Sequence, residues 1–99
     1  MKVIITTEVN ENGHLIIGET DMSSSANDSF GSDIETDLYI KKRQKVILMK
    51  KISGIFNRIS SDEALLNWLK KKYDGIDAIG KIEQLLKSKG IDYEKSRWP

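Results

Sequence analysis

The residues able to do chemistry are few and widely spaced. His14 is the only histidine, and a histidine acting as general base needs a nucleophile or an orienting carboxylate beside it. Along the chain only Glu11 and Glu19 stand near enough to serve, so the expectation is an exposed histidine next to a turn. Cysteine is absent, which removes a thiol nucleophile, a disulfide framework and a thiolate zinc site. Asp28, Asp33, Glu35 and Asp37 could offer oxygen ligands to a hard cation, but their spacing does not fit the regular calcium-binding loop. A solvated acidic loop is the expectation for them. Gly75 and Gly80 belong to neither the GxGxxG nor the GxxxxGK[ST] pattern that cradles phosphate. These residues point to a protein that is not an enzyme and uses no cofactor or metal.

Charge carries more information than any single residue. The net charge is +1, yet residues 1–40 hold one lysine against eight carboxylates, a net −7, and residues 41–99 carry net +8. Opposite charge in the two halves draws them together and offers partners two different surfaces. An acidic surface steers a basic partner, which makes Asp28, Asp33, Glu35 and Asp37 candidate partner-binding residues. Arg97 and Trp98 join them, because a tryptophan buried by a partner dominates interface energy. The alternative is nucleic-acid binding through Lys41, Lys42, Arg43 and Lys45, supported by the basic runs at 41–51 and 70–72. Against it stand a total charge near zero and basic runs without interleaved aromatics.

These residues need a scaffold, and the chain is long enough for one domain. It has 99 residues, 38% hydrophobic and 31% charged, a balance that still leaves repeated Ile and Leu to bury. The start, MKVIITTEV, lacks a signal-peptide core, and no apolar run approaches a membrane span; with the missing cysteines this gives a cytoplasmic expectation. No internal repeat is visible. Val3 to Val9 and Leu15 to Ile17, joined through Asn12-Gly13, predict a β-hairpin, with Val3, Ile5, Thr7 and Val9 on its core face. Residues 21–36 read as a polar loop in which Phe30 is the anchor. Asp37 to Ile40 opens a third strand.

The spacing of Leu48, Ile52, Ile55 and Phe56 predicts a helix over 44–56, although Val46 to Met49 also has the look of a buried strand. Ser60 and Glu63 form a capping-box pattern for a second helix with the stripe Leu65, Leu66, Trp68, Leu69 and Tyr73. Asp74 or Asp77 can cap a third, with Ile79, Ile82, Leu85 and Leu86 as its stripe and Gly90-Ile91 as a Schellman stop. Ile91 to Glu94 then alternates as a short strand. The sum is an α+β domain, with a small antiparallel sheet and about three helices on one face.

The run Gly90-Ile91-Asp92-Tyr93-Glu94, with Asp62-Glu63-Ala64-Leu65-Leu66 and Phe30-Gly31-Ser32-Asp33 upstream, resembles small uncharacterised bacterial proteins similar to the immunity proteins carried beside toxin genes. The resemblance implies an interaction protein that occludes a toxin domain, and it brings no catalytic residues.

Overall fold

The computed structural model describes residues 3–21, 34–54, 58–73 and 77–98. Strands β1 (Val3–Val9), β2 (Leu15–Asp21) and β3 (Ile34–Ile40) are followed by helices α1 (Lys42–Ile52), α2 (Asp62–Lys72) and α3 (Ala78–Ser88), and strand β4 (Glu94–Trp98) closes the chain. The strands pair antiparallel in the order β1-β2-β3-β4. This is the α+β architecture expected from the residue pattern.

Alternation builds the sheet's two sides. Leu15, Ile17, Leu38 and Ile40 point at the helices and are fully buried. They meet Leu48 and Met49 of α1, Leu65 and Leu69 of α2, and Ala78, Ile82 and Leu86 of α3, with Ile59 and Ile91 filling the ends. Each fully buried Leu or Ile contributes roughly 1.5–3 kcal/mol of transfer free energy, so this layer dominates the fold's stability. α2 lies against β1 and α3 against β2. No helix among the described residues is long and apolar enough to cross a membrane.

The β1–β2 turn differs in detail from the Asn-Gly expectation. Gly13 alone takes a positive φ, 80°, while Asn12 does not. Asn10 organises the turn: its Oδ1 accepts from the N–H groups of Asn12 and His14 at 3.0 and 2.9 Å, and its carbonyl accepts from Gly13 at 2.9 Å. The strands also run further than their apolar residues indicate. Asp21 and Ile34 through Thr36, placed in the polar loop by composition, are paired as Asp21↔Ile34, Thr20↔Glu35 and Glu19↔Thr36. Phe30 lies outside the described residues.

Helix boundaries shift for identifiable reasons. α1 begins at Lys42 despite a basic first turn that opposes its dipole, because the His14 ring accepts the Lys42 N–H at Nδ1 (2.8 Å). It ends at Ile52, where the Ser53 hydroxyl donates to the Met49 carbonyl at 2.7 Å and accepts from the Ile59 N–H at 3.0 Å; Ile55 and Phe56 lie outside the described residues. The N-cap of α2 is Ser61, not Ser60: its Oγ accepts from Ala64 at 3.1 Å, which moves Glu63 out of the position a capping box requires. Asp77 holds the N-cap position of α3 without a side-chain cap, and Asp74 lies outside the described residues.

The α3 stop follows the Schellman pattern. Gly90 has φ 68°, Ile91 N–H donates to Leu86 O at 2.9 Å, and Gly90 N–H donates to Lys87 O at 3.2 Å. The last strand starts at Glu94 rather than Ile91. Ile91 is drawn into the core, the Asp92 N–H is held by Gln44 Oε1 at 3.1 Å, and pairing resumes only at Tyr39↔Glu94.

Candidate partner-binding face

The helices cover one side of the sheet, and the register assigns the residues of the other. Three cross-strand rows form it: Glu8–Ile16–Tyr39–Glu94, Thr6–Gly18–Asp37–Ser96, and Ile4–Thr20–Glu35–Trp98. Four of these twelve positions are carboxylates and none is lysine or arginine. Glu8, Glu35 and Glu94 are exposed, Asp37 is half-buried, and Ile4 is 40% exposed. A sheet side with a single sign of charge carries a negative potential that attracts positively charged groups.

Gly18 lets its neighbours on this face close in. A Cβ there would come within 2.8 Å of the Thr6 hydroxyl oxygen and 3.0 Å of Asp37 Oδ1, so those two side chains lean over the glycine from both neighbouring strands. Sequence reasoning passed over Gly18; a glycine inside an otherwise apolar strand is the available signal of close approach. At the turn end of the sheet the face runs into a cavity of about 200 Å³, lined by Tyr39, Lys41, Gln44, Asp92, Tyr93 and Glu94. The His14 ring packs 5.4 Å from the Tyr39 ring, centroid to centroid. His14 is thus half-buried and structural, capping α1 across the sheet, rather than an exposed turn residue.

The proposed carboxylates are brought together only in part. Glu35 and Asp37 share the open face, whereas Asp28 and Asp33 lie outside the described residues. Glu8 and Glu94 complete the set, although neither was singled out: Glu94 belonged to an expected strand whose register could not be read. Arg97 and Trp98 separate. Trp98 pairs with Glu35 and Arg97 with Thr36, and Thr36 lies on the helix side.

The basic residues are partly engaged in the fold. Lys45 is 4% exposed, and its Nζ lies 2.7 Å from Asp62 Oδ1, so it is withdrawn from any phosphate-binding patch; Lys41, Lys42 and Arg43 stay exposed. Lys51 donates to the Lys89 carbonyl at 2.8 Å, satisfying the end of α3. Lys72 sits 4.8 Å from the centre of the Trp68 ring, which in turn packs edge-on against Tyr73.

On the helix side, Glu83 of α3 fastens β4 by accepting from the Tyr93 hydroxyl at 3.0 Å and from Lys95 at 3.1 Å. Burial and the Glu83 carboxylate both push the Tyr93 hydroxyl above its usual pKa. Glu19 is less well matched on that side, as is the Thr7 hydroxyl, whose oxygen is also buried without a hydrogen-bond partner. The Glu19 Oε2 is buried without a protein hydrogen-bond partner, beside a recess of about 460 Å³ lined by Asp77, Ile79, Gly80, Lys81 and Gln84. Burial raises its pKa and Asp21 adds to the rise, while Arg97 and Lys95 pull it down.

Among the described residues no group of three or more His, Cys, Asp or Glu is placed to hold a metal ion. The fold and face define an α+β sheet protein with one covered and one open acidic side. Comparison with protein-family models, curated proteins and solved structures gives no match.

Proposed function

We propose that the chain is a non-enzymatic protein-binding protein whose open sheet face receives a basic surface of another protein, as an immunity protein or inhibitor that occludes a bacterial toxin would. The observation that carries this reading is the face itself: Glu8, Glu35, Asp37 and Glu94 occupy register positions among Ile4, Ile16 and Tyr39, with no basic residue in the three rows. Charge of one sign speeds capture and fixes orientation, and the apolar and aromatic residues supply area to bury. The alternative, nucleic acid held by Lys41, Lys42 and Arg43, has lost Lys45 from its set to the pair with Asp62.

The test is an amide-resolved NMR titration of the full chain with a basic protein retained on it from a bacterial lysate, and separately with duplex and single-stranded DNA. The reading expects shifts along the three rows with the protein, weakened by salt. Shifts confined to α1 and α2, or stronger binding of DNA than of protein, would reject it.

A further inference from the structure

The two edges of the sheet are built differently. β4 presents Glu94, Lys95, Ser96 and Arg97, all exposed, so its outer edge carries charges of both signs. Charges of this kind discourage another strand from pairing. β1 is the opposite: VIITTEV is seven residues long, has one charge, lacks proline, and pairs with β2 without interruption from Val3↔Asp21 to Val9↔Leu15. Among the described residues its outer edge therefore offers a row of backbone N–H and C=O groups that no strand pairs with and no proline or bulge interrupts. Val3, Ile5, Thr7 and Val9 remain half-exposed although they face the helix layer, and Ile4 is exposed on the other side.

We propose that β1 pairs antiparallel with β1 of a second copy of this chain, joining two four-stranded sheets into one of eight. The sequence of β1 suits this occupant. A two-fold axis at Thr6 sets Val3 opposite Val9, Ile4 opposite Glu8, and Ile5 opposite the β-branched Thr7, so a valine pair closes each end and no like charges face each other. The two Glu8 side chains lie four residues apart along the strand, about 13 Å at the usual rise, beyond the screening length at moderate salt. Parallel pairing in register would instead place Glu8 beside Glu8. An axis perpendicular to the sheet keeps both helix layers on one side. The two open faces then form one platform carrying Glu8, Glu35, Asp37 and Glu94 twice over. The net charge of +1 per chain opposes association only weakly.

The experiment is sedimentation velocity of the full chain from micromolar to millimolar concentration, with Thr6→Lys and Thr6→Glu variants. Thr6 is exposed in the single chain, so either change leaves the fold intact while placing like charges together at the axis. The native chain is expected to reach twice its 11.3 kDa mass, each variant to stay at that mass, and an equimolar mixture of the two to regain the dimer. Amide exchange in β1 of the native chain should slow as concentration rises, a readout independent of the variants. A native chain that stays monomeric at millimolar concentration, a dimer that survives Thr6→Lys, or β1 exchange that ignores concentration would each overturn the proposal. A β1 protected only by a different protein would assign the edge to that partner and equally overturn the self-pairing.

Discussion

The two sides of the sheet obey different rules, although their residues alternate along the same strands. Ile17 and Leu38 face the helices and have no exposure, while their neighbours Ile16 and Asp37 face outward and are half-exposed. The covered side is built for volume: Leu, Ile and Met of three helices close over it, and Glu83 clamps Tyr93 and Lys95 at its edge. The open side differs in charge sign, with four carboxylates in its three rows, one of them leaning over Gly18. Stability therefore resides on the covered side, and the proposed recognition on the other.

Substitution of neighbours separates the two most sharply. Ile17→Ala should cost about 3–4 kcal/mol in urea unfolding, the usual penalty for emptying a buried site, and Ile16→Ala about 1 kcal/mol or less. Similar costs at the two positions would erase the distinction between sides. Next in size is Asp62→Ala, which leaves the buried Lys45 ammonium without its partner; about 2 kcal/mol is expected, because Asp62 itself is half-exposed. Lys45→Met should cost less than Asp62→Ala, since it removes the charge instead of stranding it. Ser61→Ala should lower stability by about 1 kcal/mol while Ser60→Ala leaves it within error, the signature of which serine caps α2.

The smallest effect concerns pH and Glu19, an ill-matched carboxyl of the covered side. A carboxyl raised above its unfolded value holds its proton more tightly in the folded chain. Stability is then fullest below the ordinary carboxylate range and falls as pH rises through the raised value. Glu19→Gln should melt with the native protein at acidic pH and above it at neutral pH. A variant that melts lower at neutral pH would show that the ionised carboxylate is satisfied in the folded chain.

Much of the covered side was legible in the sequence, because burial leaves a period. The strand alternation of Val3 to Val9, the helical stripe of Leu65 to Tyr73 and the Gly90-Ile91 stop each follow from residue types a few positions apart. Boundaries set by distant partners were not legible. Nothing near Lys42 indicates that His14, twenty-eight positions earlier, accepts its N–H, and nothing near Ile91 indicates that Gln44 and Glu83 delay β4 to Glu94. The open face was half legible for the same reason. Its acidity shows in the charge count, and alternation along β1 already turns Glu8 away from the core, but the rest of its membership depends on register, which adds Glu94 and turns Arg97 to the other side.

The central claim, that the open face captures a basic protein surface, meets its most direct test in one kinetic measurement. Glu8, Glu35, Asp37 and Glu94 are changed together to Gln and Asn, unfolding is used to confirm that stability is unchanged, and association with the retained basic protein is followed by stopped flow at low salt. The account predicts association slower by about tenfold or more, with the difference shrinking as salt rises. An association rate equal to that of the native chain at low salt would contradict it.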